Sequence, residues 1–140
     1  MDLDTALAAA RSSKLSVLVT LKRDGRPQLS NVSHAVGDDG VIRVSVTATR
    51  AKTANARRDP RISLYLTPDN LGTYAVIEGR AELTPVAAAP DDATVGELIE
   101  LFRAVQGEHP DWDDYRRAMV ADQRLVLRLH PERAYGLLNR

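Results

Sequence analysis

Two hydrophobic periods divide the chain. Leu15, Val17, Val19 and Leu21 alternate with Ser16, Leu18, Thr20 and Lys22, the period of two that predicts a first strand. Asp24-Gly25 then supplies a hairpin turn that needs positive φ. The predicted return strand, 27–36, is unusually polar, with Gln28, Ser30, Asn31, Ser33 and His34. Such a strand is either an edge facing water or the floor of a polar site. Residues 37–40 turn into a third strand, 41–47, with Ile42, Val44 and Val46 on one face and Arg43, Ser45 and Thr47 on the other. Residues 62–66 read as a fourth strand and 67–72 as a loop. A long fifth strand, 73–84, places Ala75, Ile77, Gly79, Ala81 and Leu83 on one face, and Gly79 within it marks a bulge or a close backbone approach. Leu125, Leu127 and Leu129 mark a sixth strand, broken by Pro131, before the chain continues through Ala134-Tyr135-Gly136.

Elsewhere the period is helical. Residues 4–12 form a short Ala-rich helix. After a small-residue linker at 85–90, Val95, Leu98, Ile99, Phe102 and Val105 predict an amphipathic helix over 91–106. Asp111 caps a second helix through Val120, with Trp112, Tyr115 and Met119 inward. Short strands joined by hairpins, with few βαβ units, predict a mainly β fold with helices, a six-stranded antiparallel barrel rather than a Rossmann-type sheet. No internal repeat is visible, and 140 residues suit one domain spanning 1–140.

The stretch 49–61 departs from both patterns. Its residues favour a helix that Thr49 caps and Pro60 ends. Arg50, Lys52, Arg57, Arg58 and Arg61 face a single acid, Asp59, in a chain whose formal net charge is zero. Arg50 and Lys52 fall in the predicted first turn, where the helix dipole favours acids. Cations placed against the dipole, beside unpaired N–H groups, suggest an anion site. The competing reading is a solvated basic face.

Composition narrows the chemistry. Hydrophobic content of 44% suits an ordinary globule, and the absence of cysteine removes disulfides, thiolate ligands and thiol nucleophiles. No apolar run approaches the roughly 18 residues of a membrane span, so no membrane partner is expected. Met1-Asp2-Leu3-Asp4 shows no signal-type apolar segment, which predicts a cytoplasmic location. Balanced charge and few aromatics argue against nucleic acid. Of three histidines, His109 reads as a loop residue, His130 as structural, and His34 alone falls near a polar strand. None has zinc-ligand spacing, and Asp111, Asp113 and Asp114 are more simply a capping cluster, so no metal is predicted. Nucleophile elbow, P-loop and G-x-G-x-x-G are all missing. A polar strand facing a basic helix, without an acid–base or nucleophile set, points to a bound cofactor as the source of the chemistry.

Three segments carry a resemblance. They are Leu21-Lys22-Arg23-Asp24-Gly25-Arg26-Pro27-Gln28-Leu29-Ser30-Asn31-Val32, then Arg50-Ala51-Lys52-Thr53-Ala54-Asn55-Ala56-Arg57-Arg58-Asp59-Pro60-Arg61, then Tyr74-Ala75-Val76-Ile77-Glu78-Gly79-Arg80-Ala81-Glu82-Leu83. Together they strongly resemble the pyridoxamine-phosphate-oxidase-like split-barrel family, and within it the actinobacterial deazaflavin-dependent oxidoreductases that use coenzyme F420. The segments 90–95 and 107–116 are similar to that branch too. The resemblance implies a homodimer of six-stranded split barrels with a cofactor cleft at the interface. It places the family's R-x-K signature on Arg50 and Lys52, gripping a phosphate, with Asn55 close by. It assigns Ser45, Val46 and Thr47 to the tricyclic ring, and Gln28 and Asn31 to the ring or its side chain. The Gly72 position lacks the Trp this branch often carries, and Tyr74 stands nearby. The implied reaction is hydride transfer to a small electron-poor substrate, with solvent, Tyr74 or His34 as proton source. Arg57 and Arg58 suit the polyanionic tail of the deazaflavin. The alternatives are an FMN-dependent enzyme of the same fold and a non-catalytic cofactor-binding protein.

Overall fold

The computed structural model describes residues 1–68 and 72–138; positions 69–71 of the predicted loop lie outside them. In chain order the elements are α1 (Leu3–Arg11), β1 (Leu15–Leu21), β2 (Pro27–Ser33), β3 (Ala35–Val36), β4 (Ile42–Thr47), α2 (Ala51–Arg58), β5 (Arg61–Leu66), β6 (Tyr74–Leu83), α3 (Ala93–Gln106), α4 (Trp112–Ala121) and β7 (Arg124–Leu137). One antiparallel sheet has the order β2-β1-β5-β6-β7-β4-β3.

Among the described residues the sheet has seven strands, not the expected six, because the predicted strand 27–36 divides at His34. That imidazole is buried, with Nδ1 2.7 Å from Ser16 Oγ and Nε2 2.8 Å from the Ala10 carbonyl oxygen, while its backbone N–H donates to the Lys14 carbonyl. The bond to Lys14 is the last in the β1–β2 register, and the buried ring anchors the chain where it leaves β1. The two residues that follow pair with β4 instead. β2 and β3 are therefore joined by one residue yet stand at opposite ends of the strand order. Only a sheet curled until its edges nearly meet allows that, and the gap left between β2 and β4 is the seam of a split barrel.

Strand period two fills the barrel. Leu18, Ile42, Val44, Val46, Leu64 and Leu127 point inward and are almost fully buried, and α1 packs Ala6, Leu7 and Ala10 into the same core. The Asp2 carboxylate accepts the Thr5 N–H at 2.8 Å and sets the start of α1. A second core lies outside the barrel, where α3 and α4 pack Val95, Leu98, Ile99 and Tyr115 around Val126 of β7. Its α4 starts at Asp111, whose carboxylate accepts the Asp114 N–H, as the capping reading expected.

Pro131 does not break the last strand. β7 runs through it, with Pro131 opposite Gly79 at a register shift beside Glu78. Proline lacks the N–H a regular ladder uses, and the bulge absorbs the loss. A Cβ on Gly79 would collide with the His130 carbonyl oxygen, the close approach its position in the strand implied.

The candidate cleft at the seam

β4 pairs with β3 only at Ile42 and Arg43. Beyond Arg43 its one strand partner is β7, so the edge from Val44 to Thr47 faces the seam. A cleft of about 390 Å³ opens there. Its strand side is Asn31, Val32, Ser33 and Ser45; its helical wall is Leu98, Leu101, Phe102, Val105 and Met119; Lys52 and Arg124 bring positive charge. Among the described residues no acid lines it.

α2 begins beside this cleft. Thr49 was expected to cap it, but Arg50 occupies the N-cap position in an extended conformation and makes no side-chain capping bond. The anchor is Thr53 instead, whose hydroxyl donates to the Thr47 carbonyl at 2.7 Å and ties the helix to the end of β4. No acid occupies the first turn, so the positive end of the dipole is left unneutralised. Lys52 is half-buried. Burial, then the neighbouring Arg50 and Arg124, push its pKa below the ordinary ammonium value. Arg50 itself is exposed and does not line the cleft.

The remaining expected residues divide. Ser45 and Asn31 line the cleft. Val46 buries its side chain in the barrel, leaving only its backbone toward the seam, and the Thr47 carbonyl is occupied by Thr53. Gln28 and Asn31 fall on opposite faces of β2, Gln28 half-buried and Asn31 exposed. Asn55 is buried: its Nδ2 donates to Thr20 Oγ1 and Gln28 Oε1, and its Oδ1 accepts from Arg58. Arg58 also donates to the Leu21 carbonyl, so of the two exposed arginines ending α2 it is the one tied to the barrel. Tyr74 packs against Tyr65 with ring centroids 6.0 Å apart on the outer face of the sheet, and neither it nor the sealed His34 lines the cleft.

Two components were not visible in the sequence. Arg124 comes from the start of β7, opposite Thr47 in the ladder. The α3–α4 wall read only as an amphipathic core face. Tyr115 in that wall donates its hydroxyl to the Leu98 carbonyl at 3.0 Å, and burial pushes its pKa up to about 12, so it holds its proton.

The curled antiparallel sheet is that of a split barrel, and among the described residues the cleft at its seam carries two cations and no acid. The family described as pyridoxamine 5'-phosphate oxidase matches residues 3–138, and the chain belongs to it. A conserved hypothetical protein of Mycobacterium tuberculosis is 25% identical, with a TM-score of 0.75 over 100% of this chain and 86% of that one. An F420 reductase is 22% identical, with a TM-score of 0.70 over 91% of this chain and 94% of the other. An FAD-binding protein of Mesorhizobium loti is 15% identical, with a TM-score of 0.69 over 97% and 92%. At the last two identities the likeness is one of fold. No described helix is long and apolar enough to cross a membrane.

Proposed function

We propose that this protein is an oxidoreductase that binds coenzyme F420 in the seam cleft and reduces a small electron-poor organic substrate. The carrying observation is the pair Lys52 and Arg124, converging without a carboxylate beside the open start of α2. These residues fit a phosphorylated tricyclic group. The cations and Ser45 suit a phosphate, the free edge of β4 offers backbone groups to a ring, and Leu98, Leu101 and Phe102 offer it an apolar wall. When bound, the reduced deazaflavin supplies the hydride. The protein's share is placement and exclusion of water along that wall. Arg50, exposed at the helix N-cap, extends the positive field outward, and Arg57 is placed for an anionic tail. Neither His34 nor Tyr74 reaches the cleft, so the proton is assigned to solvent. The fold likeness to an F420 reductase supports this reading.

A homodimer belongs to the same proposal. The outer face of the sheet carries a cross-strand row, Asn31, Val17, Tyr65, Val76 and Tyr135, flanked by exposed Leu15, Leu29 and Leu137. Asn31 and Ser33 border both this face and the cleft, so a second copy seated there would help enclose the ligand.

A flavin is the second reading, favoured by the fold likeness to an FAD-binding protein. Side-by-side titration with coenzyme F420 and FMN, by fluorescence quenching and calorimetry, decides between them. Tighter deazaflavin binding is expected. Tighter FMN binding moves the assignment to a flavin enzyme, and binding of neither removes the redox reading.

A further inference from the structure

The connection from α3 to α4 brings four rings into one corner. Phe102 meets His109, Trp112 and Tyr115 at centroid separations of 5.2, 5.7 and 5.1 Å. Each of those three has a polar anchor. His109 Nδ1 accepts the Asp111 N–H at 2.9 Å, the Trp112 indole N–H donates to Glu108, and the Tyr115 hydroxyl donates to the Leu98 carbonyl. Phe102 has none, stays half-buried and lines the cleft. Its neighbours approach at interplanar angles of 61°, 81° and 60°, so among the described residues no ring stacks parallel on it. Core packing accounts for buried Tyr115, but not for a phenyl ring left part-open in a cleft, where apolar surface favours cover.

We propose that Phe102 is a specificity-determining residue of the cleft and that the substrate is a flat, uncharged aromatic molecule stacked on it. The inference rests on the reading that this cleft holds a phosphorylated tricyclic cofactor. A volume of about 390 Å³ lies near the lower end for ligand pockets, so a ring held along the edge of β4 leaves a narrow gap before the α3 wall. A thin molecule fits that gap. Around Phe102 the wall is Leu98, Leu101, Val105 and Met119, and among the described residues no charged side chain joins them. Lys52 and Arg124 stand apart from it on α2 and β7, where a phosphate neutralises them. A charged substrate against this wall would lose hydration without gaining an ion partner. Gln106, at the C-terminal end of α3, offers its amide to a carbonyl oxygen on a neutral one.

Trp112 is the only tryptophan of the chain and lies against Phe102, so its indole N–H gives one ¹⁵N NMR signal that a ring stacked on Phe102 shifts. Titrations follow that signal with and without saturating coenzyme F420. The probes are chromone, which is flat and neutral, its carboxylate, and cyclohexenone, which is neither aromatic nor flat. Phe102→Leu is expected to weaken chromone binding about 3- to 10-fold, the worth of one aromatic pair, and to leave cyclohexenone within about 1.5-fold. Phe102→Tyr keeps the ring, restores chromone binding and guards against a general loss of packing. In the cofactor-loaded protein chromone should bind about 10-fold or more tightly than its carboxylate. Equal losses for chromone and cyclohexenone, or a carboxylate bound as tightly as chromone, overturn the inference. If chromone binding depends on Phe102 while neither coenzyme F420 nor FMN binds, the redox reading fails and the aromatic site stands. If the cofactor binds and Phe102→Leu takes up chromone as the wild type does, the redox reading stands and this inference fails.

Discussion

Asn55 Nδ2 donates to Gln28 Oε1 at 2.8 Å, joining two residues that the family resemblance assigns to the cofactor. With Thr20 and Arg58 completing the set, the Asn55 amide is bonded at both its nitrogen and its oxygen. It stitches α2 to β1 and β2 and so fixes where the basic helix begins.

Asn55→Ala is expected to destabilise the fold by about 1–3 kcal/mol, because it leaves buried partners unsatisfied. A double-mutant cycle with Gln28→Ala, read by chemical denaturation, should give a coupling of roughly 0.5 kcal/mol or more. If both variants instead keep full stability and lose cofactor affinity, the pair acts as ligand contacts.

Lys52→Ala is expected to weaken cofactor binding by about 10- to 100-fold, the value of one charge-assisted hydrogen bond. Arg50→Ala should also weaken it, but less, since its exposed charge is screened by solvent. Neither change should lower the thermal midpoint, because both remove a cation from the positive end of α2. Titration and thermal melts at one fixed salt concentration check this; normal binding with reduced stability marks the helix as structural.

His34 predicts a specific acid sensitivity. Burial holds its pKa below the ordinary imidazole value of 6.5, against hydrogen bonds that favour the charged form. A base whose folded pKa is depressed leaves stability intact above the unfolded value and withdraws it as pH falls from there through the folded pKa. The thermal midpoint should therefore begin to drop below about pH 6.5, and His34→Gln should flatten that part of the profile at some cost in overall stability. A wild-type profile flat from pH 7 to the carboxylate range rules the effect out.

Glu97 governs a lower window. Arg128 first, then Arg43, hold its carboxyl below the ordinary value of 4.5. Its contribution is complete above that value and is lost as pH falls through the depressed folded pKa. Glu97→Gln should cost roughly 1–3 kcal/mol at neutral pH and loosen α3, whose Leu98 and Leu101 line the cleft. Denaturant melts and amide exchange along α3 measure both effects.

Leu29→Glu tests the proposed dimer. Placed on the exposed outer face, it should shift sedimentation toward monomer while leaving the barrel folded. A wild-type protein that is monomeric at micromolar concentration removes the shared-cleft proposal.

Local chemistry determined much of this molecule. Alternation placed Ile42, Val44 and Val46 in the core, Asp111 marked the start of α4, Gly79 marked the bulge, and the basic run marked α2 beside the cleft. Apart from the bulge, whose partners Pro131 and His130 lie on β7, each depends on neighbours a few residues away, which the chain carries with it. Tertiary structure decided the rest. Arg124 and Arg128 follow the same strand period in the sequence, yet Glu97, far upstream, neutralises one and leaves the other facing the cleft. His34 lies on a polar stretch, yet Ser16 and the Ala10 carbonyl seal it inside where the strand divides. Register across the sheet and the docking of α3 set those partners, and both are products of the closed barrel rather than of any local window.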